Sequence, residues 1–374
     1  MSAHAPLPPS SADRRVACPG SREVESRYPD EDSIDTQQGE AVHWVGAENL
    51  RGIRPQVGDV APNGVVLNVE MIEAADQYSD HIIQRDGVWL KTAHIEQLAK
   101  ISPIHPDNYG TPDYACYNAT EDRLLIDDLK YGHGFVSEIR NYQLINYVAL
   151  KAAELGRYDD DSLRVTMTIH QPRNYHRRGP TRSWATTLGA LRQPIAEMSH
   201  AYRLAMEPDA PVMARDPDAC KDCKGRYECE AAIMAEGPAI DLAYSSAPLV
   251  MSPAALSKEL RRLKDAEKVI KLRREGIEQS IVSTIQRGGI VPYFGIAHKA
   301  GRTVWKDEAV GDMLDIAAAY GVKIAAPKLS MTPLQAIKAG IPEDVVKAYS
   351  HAPGGAAELV EDDGTAAAQI FNKD

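Results

Sequence analysis

Hydrophobic positions along this chain follow two different periods, and the change between them divides it. Over residues 69–85, Met71, Ile72, Ala75, Tyr78, Ile82 and Ile83 recur at near-helical intervals, which predicts a long amphipathic helix. A shorter helix is expected around residues 39–48. Residues 10–21 (SSADRRVACPGS) read as a short helix running into a turn at Pro19-Gly20, with Ser10 or Ser11 as N-cap. Residues 1–12, rich in Pro, Ser and Ala, are expected to be disordered, and the polar stretch 28–38 to be a loop.

The centre alternates instead. Residues 112–118 and 123–130 are short apolar runs separated by the turn-like 118–122, which predicts two neighbouring strands. A helix is expected over 138–156, then a strand over 163–170 with Val165, Met167 and Ile169 on one face. Strand, strand, helix, strand is a mixed α/β core. Residues 181–206 are expected to form one long helix, 253–286 a charged helix or two, and 292–306 a hairpin. Residues 307–320 and 333–349 read as helical. The expected domains are 13–240 as an α/β core domain, 250–352 as a mostly helical extension, and 353–374, rich in Gly, Ala and acids, as a mobile tail.

Composition adds limits. Hydrophobic residues make up 44% of the 374 and charged residues 25%, ordinary for a globular protein. No apolar run approaches the roughly 20 residues of a membrane span, and the N-terminus has no apolar segment of a secretory signal, so a cytoplasmic protein is expected. A net charge of −11 argues against a protein that coats nucleic acid. It does not exclude local contacts, since acids are needed to hold a cation and two basic stretches, 173–182 (RNYHRRGPTR) and 258–274, stand apart. Either stretch is also readable as a solvated loop or helix face.

Cys220, Cys223 and Cys229 form C-x2-C-x5-C in a short polar segment, a spacing that lets three thiolates converge on one centre. Cys18, in CPGS, is the candidate fourth ligand, whereas Cys116 sits inside a predicted strand. Four sulfurs suit either zinc or an iron-sulfur cluster. Structural disulfides are not expected in a reducing compartment.

Asp113 lies in GTPDY, and Asp128 and Lys130 in LLIDDLKYG. On a strand, 128 and 130 share a face while Asp127 and Leu129 point away. If the two strands pair, Asp113 joins them, and two carboxylates beside an ammonium suit a hard divalent cation and attack on a phosphodiester. A lone D-x-K is common by chance and is usually a surface ion pair. Here an apolar strand, residues 124–126, leads into it, and Gln143 and Tyr147 follow on one helical face. His43 could add a nitrogen ligand, although a single His is more often structural.

The order Cys18, Gly39 to His43, Gly110 to Asp113, Asp128 to Lys130, Gln143 to Tyr147, then Cys220, Cys223 and Cys229 resembles the RecB-like iron-sulfur nucleases of the PD-(D/E)XK superfamily, which include the AddB nuclease domain and the CRISPR-associated exonucleases. The nearest likeness is to a family of phage and prophage proteins with phrases similar to CPGS, GTPDYACY, DDLKYGHGFV, NYQLINYVAL and IHQPR, over residues 8–235. That resemblance implies a PD-(D/E)XK (restriction-endonuclease-like) α/β core with a helical N-terminal part. His43, Asp113 and Asp128 would hold Mg2+ or Mn2+, with Lys130 as catalytic lysine and Gln143 and Tyr147 as its supporting motif. It also implies that Cys18, Cys220, Cys223 and Cys229 hold a four-iron four-sulfur cluster clasping the domain. One departure stands out: relatives carry Glu before the glycine and again one helical turn after the histidine, where this chain has Gln38 and Ala47, with Glu48 one place late.

The function this implies is metal-dependent hydrolysis of DNA, by an exonuclease acting on ends in phage recombination or replication, with a recombinase or single-strand-binding protein as candidate partner. An endonuclease on the same core, a non-catalytic DNA-binding or scaffolding protein, and a zinc-stabilised interaction module are the alternatives. The sequence assigns no oligomeric state.

Overall fold

The two apolar runs flanking residues 118–122 form an antiparallel pair at the centre of a five-stranded sheet, with Asp113 and Asp128 at the same end. The computed structural model describes residues 5–28, 34–174, 176–214, 217–226, 228–244, 250–300, 304–306, 310–322, 332–351 and 354–361. They fall into two units, Met1–Arg273 and Arg274–Asp374.

In the first unit the strands β1 (His94–Ile95), β2 (Tyr114–Asn118), β3 (Arg123–Leu129), β4 (Arg164–His170) and β5 (Thr181–Thr187) lie side by side in chain order. β3 and β4 run parallel and the other neighbours antiparallel. The helices are α1 (Ala12–Ala17), α2 (Ser21–Ser26), α3 (Ile34–Leu50), α4 (Val69–Asp86), α5 (Tyr142–Glu154), α6 (Arg192–Ala205), α7 (Pro217–Cys220) and α8 (Glu230–Tyr244). A parallel pair needs a crossover, and α5 supplies it between β3 and β4.

Alternation along the strands decides which helix meets which side chain. Leu124, Ile126, Val165, Met167 and Ile169 face Leu144, Ile145 and Val148 of α5 and Met198 and Tyr202 of α6. Tyr114, Cys116, Leu125 and Leu129 face Val42 and Val45 of α3 and Met71, Ala75, Tyr78 and Ile82 of α4. The sheet is thus sandwiched between helices, and Asp127 and Asp128 are sent to opposite faces. Helices α3 and α4 approach closely at Gly46, where an added Cβ would lie 2.9 Å from Tyr78 Cδ1.

Several elements differ from expectation. Residues 9–11 form a 3-10 turn and Leu7 is fully buried in the first core cluster, so the described N-terminal residues, 5 onward, are ordered by packing. Within the expected loop at 28–38, helix α3 already begins at Ile34; residues 29–33 lie outside the described set. The expected helix over 181–206 is instead strand β5 followed by α6. Thr181, Thr186 and Thr187 are β-branched, and pairing with β4 along its whole length outweighs helical periodicity. α5 begins at Tyr142 and not at 138, because the Asn141 side chain caps it by accepting from the Leu144 amide at 3.1 Å.

Helix α9 (Pro253–Gln286) is a single helix that runs through the boundary between the units. In the second unit, β6 (Phe294–Ala300), β7 (Val304–Trp305), β8 (Ser350–His351) and β9 (Gly354–Glu361) pair as β6 with β9 and β7 with β8, which replaces the hairpin expected within 292–306. Part of the expected mobile tail is therefore strand β9, and residues 362–374 lie outside the described set. Helices α10 (Val310–Ala319), α11 (Pro333–Lys338) and α12 (Glu343–Ala348) close a small core of Met313, Ala317, Val322, Ala336, Ile341 and Val346. Among the described residues no helix is long and apolar enough to cross a membrane.

Candidate functional site

The site forms where β3 ends. Asp113 precedes β2 and sits across from Asp128 in the antiparallel register, since Tyr114 pairs with Asp127. The Leu129 amide donates to Asp113 Oδ2 at 2.6 Å, fixing the carboxylate against the strand end. From α3, His43 Nδ1 lies 3.2 Å from Asp113 Oδ1 and 3.7 Å from Glu96 Oε1. His43, Glu96 and Asp113 each offer one ligand atom, all within 4.8 Å of one another. Such a group could hold a divalent cation, and one imidazole with two carboxylates suits magnesium or manganese.

Asp128 points to the α5 face. Lys130 Nζ lies 2.9 Å from Asp128 Oδ2. Gln143, in the first turn of α5, donates from Nε2 to Asp128 Oδ1 at 3.0 Å and accepts from Lys130 Nζ at 3.0 Å on Oε1. An amide offers a donor and an acceptor at once, so it can bridge an anion and a cation. Tyr147, one turn further on, is buried, and its ring lies 3.4 Å from where a Cβ on Gly110 would stand. The structure therefore brings Asp113, Asp128, Lys130, Gln143, Tyr147 and His43 to one end of the sheet.

Glu96 is the residue the sequence did not single out. It stands at the end of β1, with its amide bonded to the Asp113 carbonyl at 3.1 Å and φ of +48°, a left-handed conformation uncommon for Glu. On α3, one turn beyond His43, Ala47 is buried, and Glu48 pairs with Arg51 at 2.9 Å. Glu96, from a separate segment, is thus the second acid beside His43. The surviving sequence signal is an acid directly after the two-residue strand His94–Ile95, which is too short to select.

Charge is balanced inside this cluster. Burial disfavours a charged His43 ring, but Asp113 and Glu96 outweigh it and push the pKa up to about 10. Burial likewise works against the Lys130 ammonium, yet Asp128 and Asp113 raise its pKa above the ordinary lysine value. Asp128 is pushed up by burial, against the pull of Lys130, whereas Asp113 is pulled down mainly by His43 despite its own burial. Burial, with Asp113 and Asp128 nearby, holds the Tyr147 phenol protonated.

On the other face of β3, Asp127 joins a buried polar network. Arg85 donates to both its oxygens at 2.9 and 2.8 Å, and His170 Nε2 lies 2.8 Å from Oδ1. Arg85 also grips Asp86, which accepts from the Tyr114 hydroxyl at 2.6 Å. The Lys130 amide donates to the His170 carbonyl at 2.8 Å. This network ties β3, β4 and α4 together directly behind the site.

The cysteines form a second locus. Cys18, Cys220, Cys223 and Cys229 line one small cavity together with Val24, Val212 and Ala232. The Met213 amide donates to Cys18 Sγ at 3.2 Å. The Cys18 loop is held by Ser21, whose hydroxyl donates to the Cys18 carbonyl at 2.6 Å, and Arg15 bridges Ser21 and the buried Glu25. Packing there is close, since a Cβ on Gly225 would meet Val24 Cγ1 at 2.4 Å. Burial raises the pKa of Cys18 and Cys223. Among the described residues, the grouping of three or more ligand atoms within 4.8 Å occurs at His43, Glu96 and Asp113 and not at the cysteines. Cys116 lies apart on the α4 face of the sheet, with its thiol 3.7 Å from the Trp89 carbonyl.

Fold and site together define a mixed α/β protein whose five-stranded sheet ends in a cluster of carboxylates, an imidazole and a lysine able to hold a divalent cation. The chain belongs to the DUF2800 family, described as "Protein of unknown function", whose sequence pattern matches residues 4–363. Among solved structures it is similar to a crystal structure named "Putative exonuclease" from Eubacterium rectale, at 11% identity, over 67% of this chain and 92% of that one, with a TM-score of 0.31. A superposition that weak carries no argument about activity.

Proposed function

We propose that this chain is a metal-dependent DNA nuclease with a PD-(D/E)XK core. The observation that supports it best is the convergence of Asp113, Asp128 and Lys130 at one strand end, with Gln143 bridging the last two and His43 and Glu96 adjoining. Fold maintenance alone does not call for three acids, a lysine and an imidazole at one strand end, because desolvating charges is costly and apolar packing often stabilises as well. His43, Glu96, Asp113 and Asp128 fit a magnesium or manganese ion by donor chemistry. Such an ion, when bound, would polarise the scissile phosphate and offset the charge that develops on it.

The protein's own part is positioning and electrostatics. Lys130 is kept charged by Asp128 and Asp113, so it serves to orient the attacking water and counter the phosphate's charge. Gln143 holds Lys130 and Asp128 in mutual register, and Tyr147 lies buried one helical turn behind it. Action on DNA ends, in phage recombination or replication, is the leading version because the enzymes that this chain's motifs resemble mostly act on ends, with a recombinase or single-strand-binding protein as candidate partner. The same reading assigns a four-iron four-sulfur cluster to Cys18, Cys220, Cys223 and Cys229, which line one cavity, as a clasp joining the first helices to the segment after the core.

The test is cleavage of end-labelled linear and closed circular DNA with magnesium or manganese, comparing wild type with Asp128→Ala and Lys130→Ala. Loss of linear DNA that both substitutions abolish is the expected result. Cutting of circles would assign an endonuclease, and cleavage indifferent to both substitutions would remove the catalytic assignment.

A further inference from the structure

The loop that joins Lys130 to α5 holds an aromatic ring in the open. Phe135 is 49% exposed, yet its surroundings are fixed. Asn174 Nδ2 donates to the His133 carbonyl at 2.8 Å, and the Val136 amide donates to Gln171 Oε1 at 3.2 Å. Gln171 Nε2 also donates to the carbonyls of Gly132 and Gly134, and Arg182 Nη2 donates to the Val136 carbonyl at 2.9 Å. Gln171 and Arg182 are themselves buried. Phe135 thus offers a partly open ring on a braced loop beside the site.

The ring has two close neighbours, an imidazole and a guanidinium. His176 stacks on Phe135 with centroids 4.9 Å apart and planes 25° from parallel, and Arg182 Cζ lies 5.0 Å from the Phe135 centroid. The neighbourhood is basic although the protein as a whole carries −11. Residues 173–182 contain Arg173, Arg177, Arg178 and Arg182 and no acid. The one acid of the loop, Glu138, is buried and taken up by Arg178 at 2.6 Å and Arg182 at 3.4 Å. Arg177 and Arg140 are exposed and make no ion pair among the described residues.

We propose that Phe135, seated on His176, is a stacking platform for an unpaired base of single-stranded DNA, with Arg177 and Arg140 taking the flanking phosphates. The proposal rests on the nuclease reading, because it places the platform on the loop between Lys130 and the Asn141 cap of α5. Every base has a π-face, but in a duplex both faces are covered by neighbouring pairs, so an aromatic platform selects a frayed or single-stranded end. The platform would thus draw one strand toward Lys130 and Asp128.

The experiment measures binding apart from cleavage. Fluorescence anisotropy with labelled oligothymidylate of about 15 nucleotides, and with the same strand in duplex form, is run on the full chain in calcium in place of magnesium. The single strand is expected to bind more tightly than the duplex. Phe135→Ala should weaken single-strand binding roughly 5- to 100-fold, Phe135→Trp should restore it, and duplex binding should not change with either. Single-strand binding by Phe135→Ala within about twofold of wild type, equal losses for strand and duplex, or tight binding confined to an oligouridylate would overturn the platform. Magnesium-dependent cleavage by the same wild-type preparation separates the two readings. Cleavage with no Phe135 effect sinks the platform alone, whereas a Phe135 effect on binding without cleavage sinks the nuclease and leaves a single-strand-binding surface.

Discussion

The backbone amide of Leu129 donates to Asp113 Oδ2 across 2.6 Å, so the segment before β2 is locked to the end of β3 by an acid that also faces His43. That bond is what places Asp113 beside Asp128 and Lys130. A shift of one residue in the β2–β3 register would turn Asp128 away from α5 and bring Asp127 in its place.

Gln143 is expected to act by positioning. Replacing it with Ala removes the bridge between Lys130 Nζ and Asp128 Oδ1, and should lower kcat by about 100-fold with KM little changed. Circular dichroism should show unchanged folding, since Gln143 lies at the helix start and its side chain is not part of the apolar core. A rise in KM with kcat unchanged would argue for a role in DNA binding instead.

Glu96 and His43 give a prediction about cation binding. With its pKa pushed up to about 10 by Asp113 and Glu96, His43 carries a proton at pH 7 that it must lose to act as a ligand. Manganese binding should therefore release about one proton at pH 7, and affinity should rise with pH up to about 10. Calorimetry in buffers of different ionisation enthalpy counts the proton. Glu96→Gln should weaken manganese roughly 10-fold or more, and unchanged affinity would remove Glu96 from the ligand set.

Asp127 should matter for stability and not for metal binding. Burial alone would raise its pKa, but Arg85 and His170 pull it down to about 2. A carboxyl held below the ordinary value of about 3.9 contributes stability that is full above that pH and is lost as pH falls toward about 2. Asp127→Asn takes from Arg85 one of its two carboxylate partners and from His170 the anion it faces, and should cost roughly 3 kcal/mol in urea unfolding at pH 7. The loss should shrink between about pH 4 and pH 2.

The proposed iron-sulfur cluster predicts a colour. Protein purified without air should be brown, with absorbance near about 400 nm, and Cys18→Ser or Cys223→Ser should bleach it and lower the Tm. Colourless protein containing about one equivalent of zinc would replace the cluster with a zinc site on the same four sulfurs.

The sequence by itself determined the strand pair around residues 118–122, the α4 and α5 helices, and the face on which Asp128 and Lys130 lie. These follow from local periodicity: alternation sorts side chains to two faces of a strand, and intervals of three and four sort them around a helix. It also brought Cys18 into the same set as Cys220, Cys223 and Cys229 by residue type. Tertiary structure decided the rest. Residues 181–187 became a strand because β4 offered a free edge, a partner no local window contains. Leu7 was buried, and residues 5–11 ordered, by a core assembled from segments far along the chain. Glu96 reached His43 only because β1 pairs with β2, so that a bond from its amide to the Asp113 carbonyl sets it beside the site. Such contacts depend on which distant segments meet, and sequence periodicity carries no record of that.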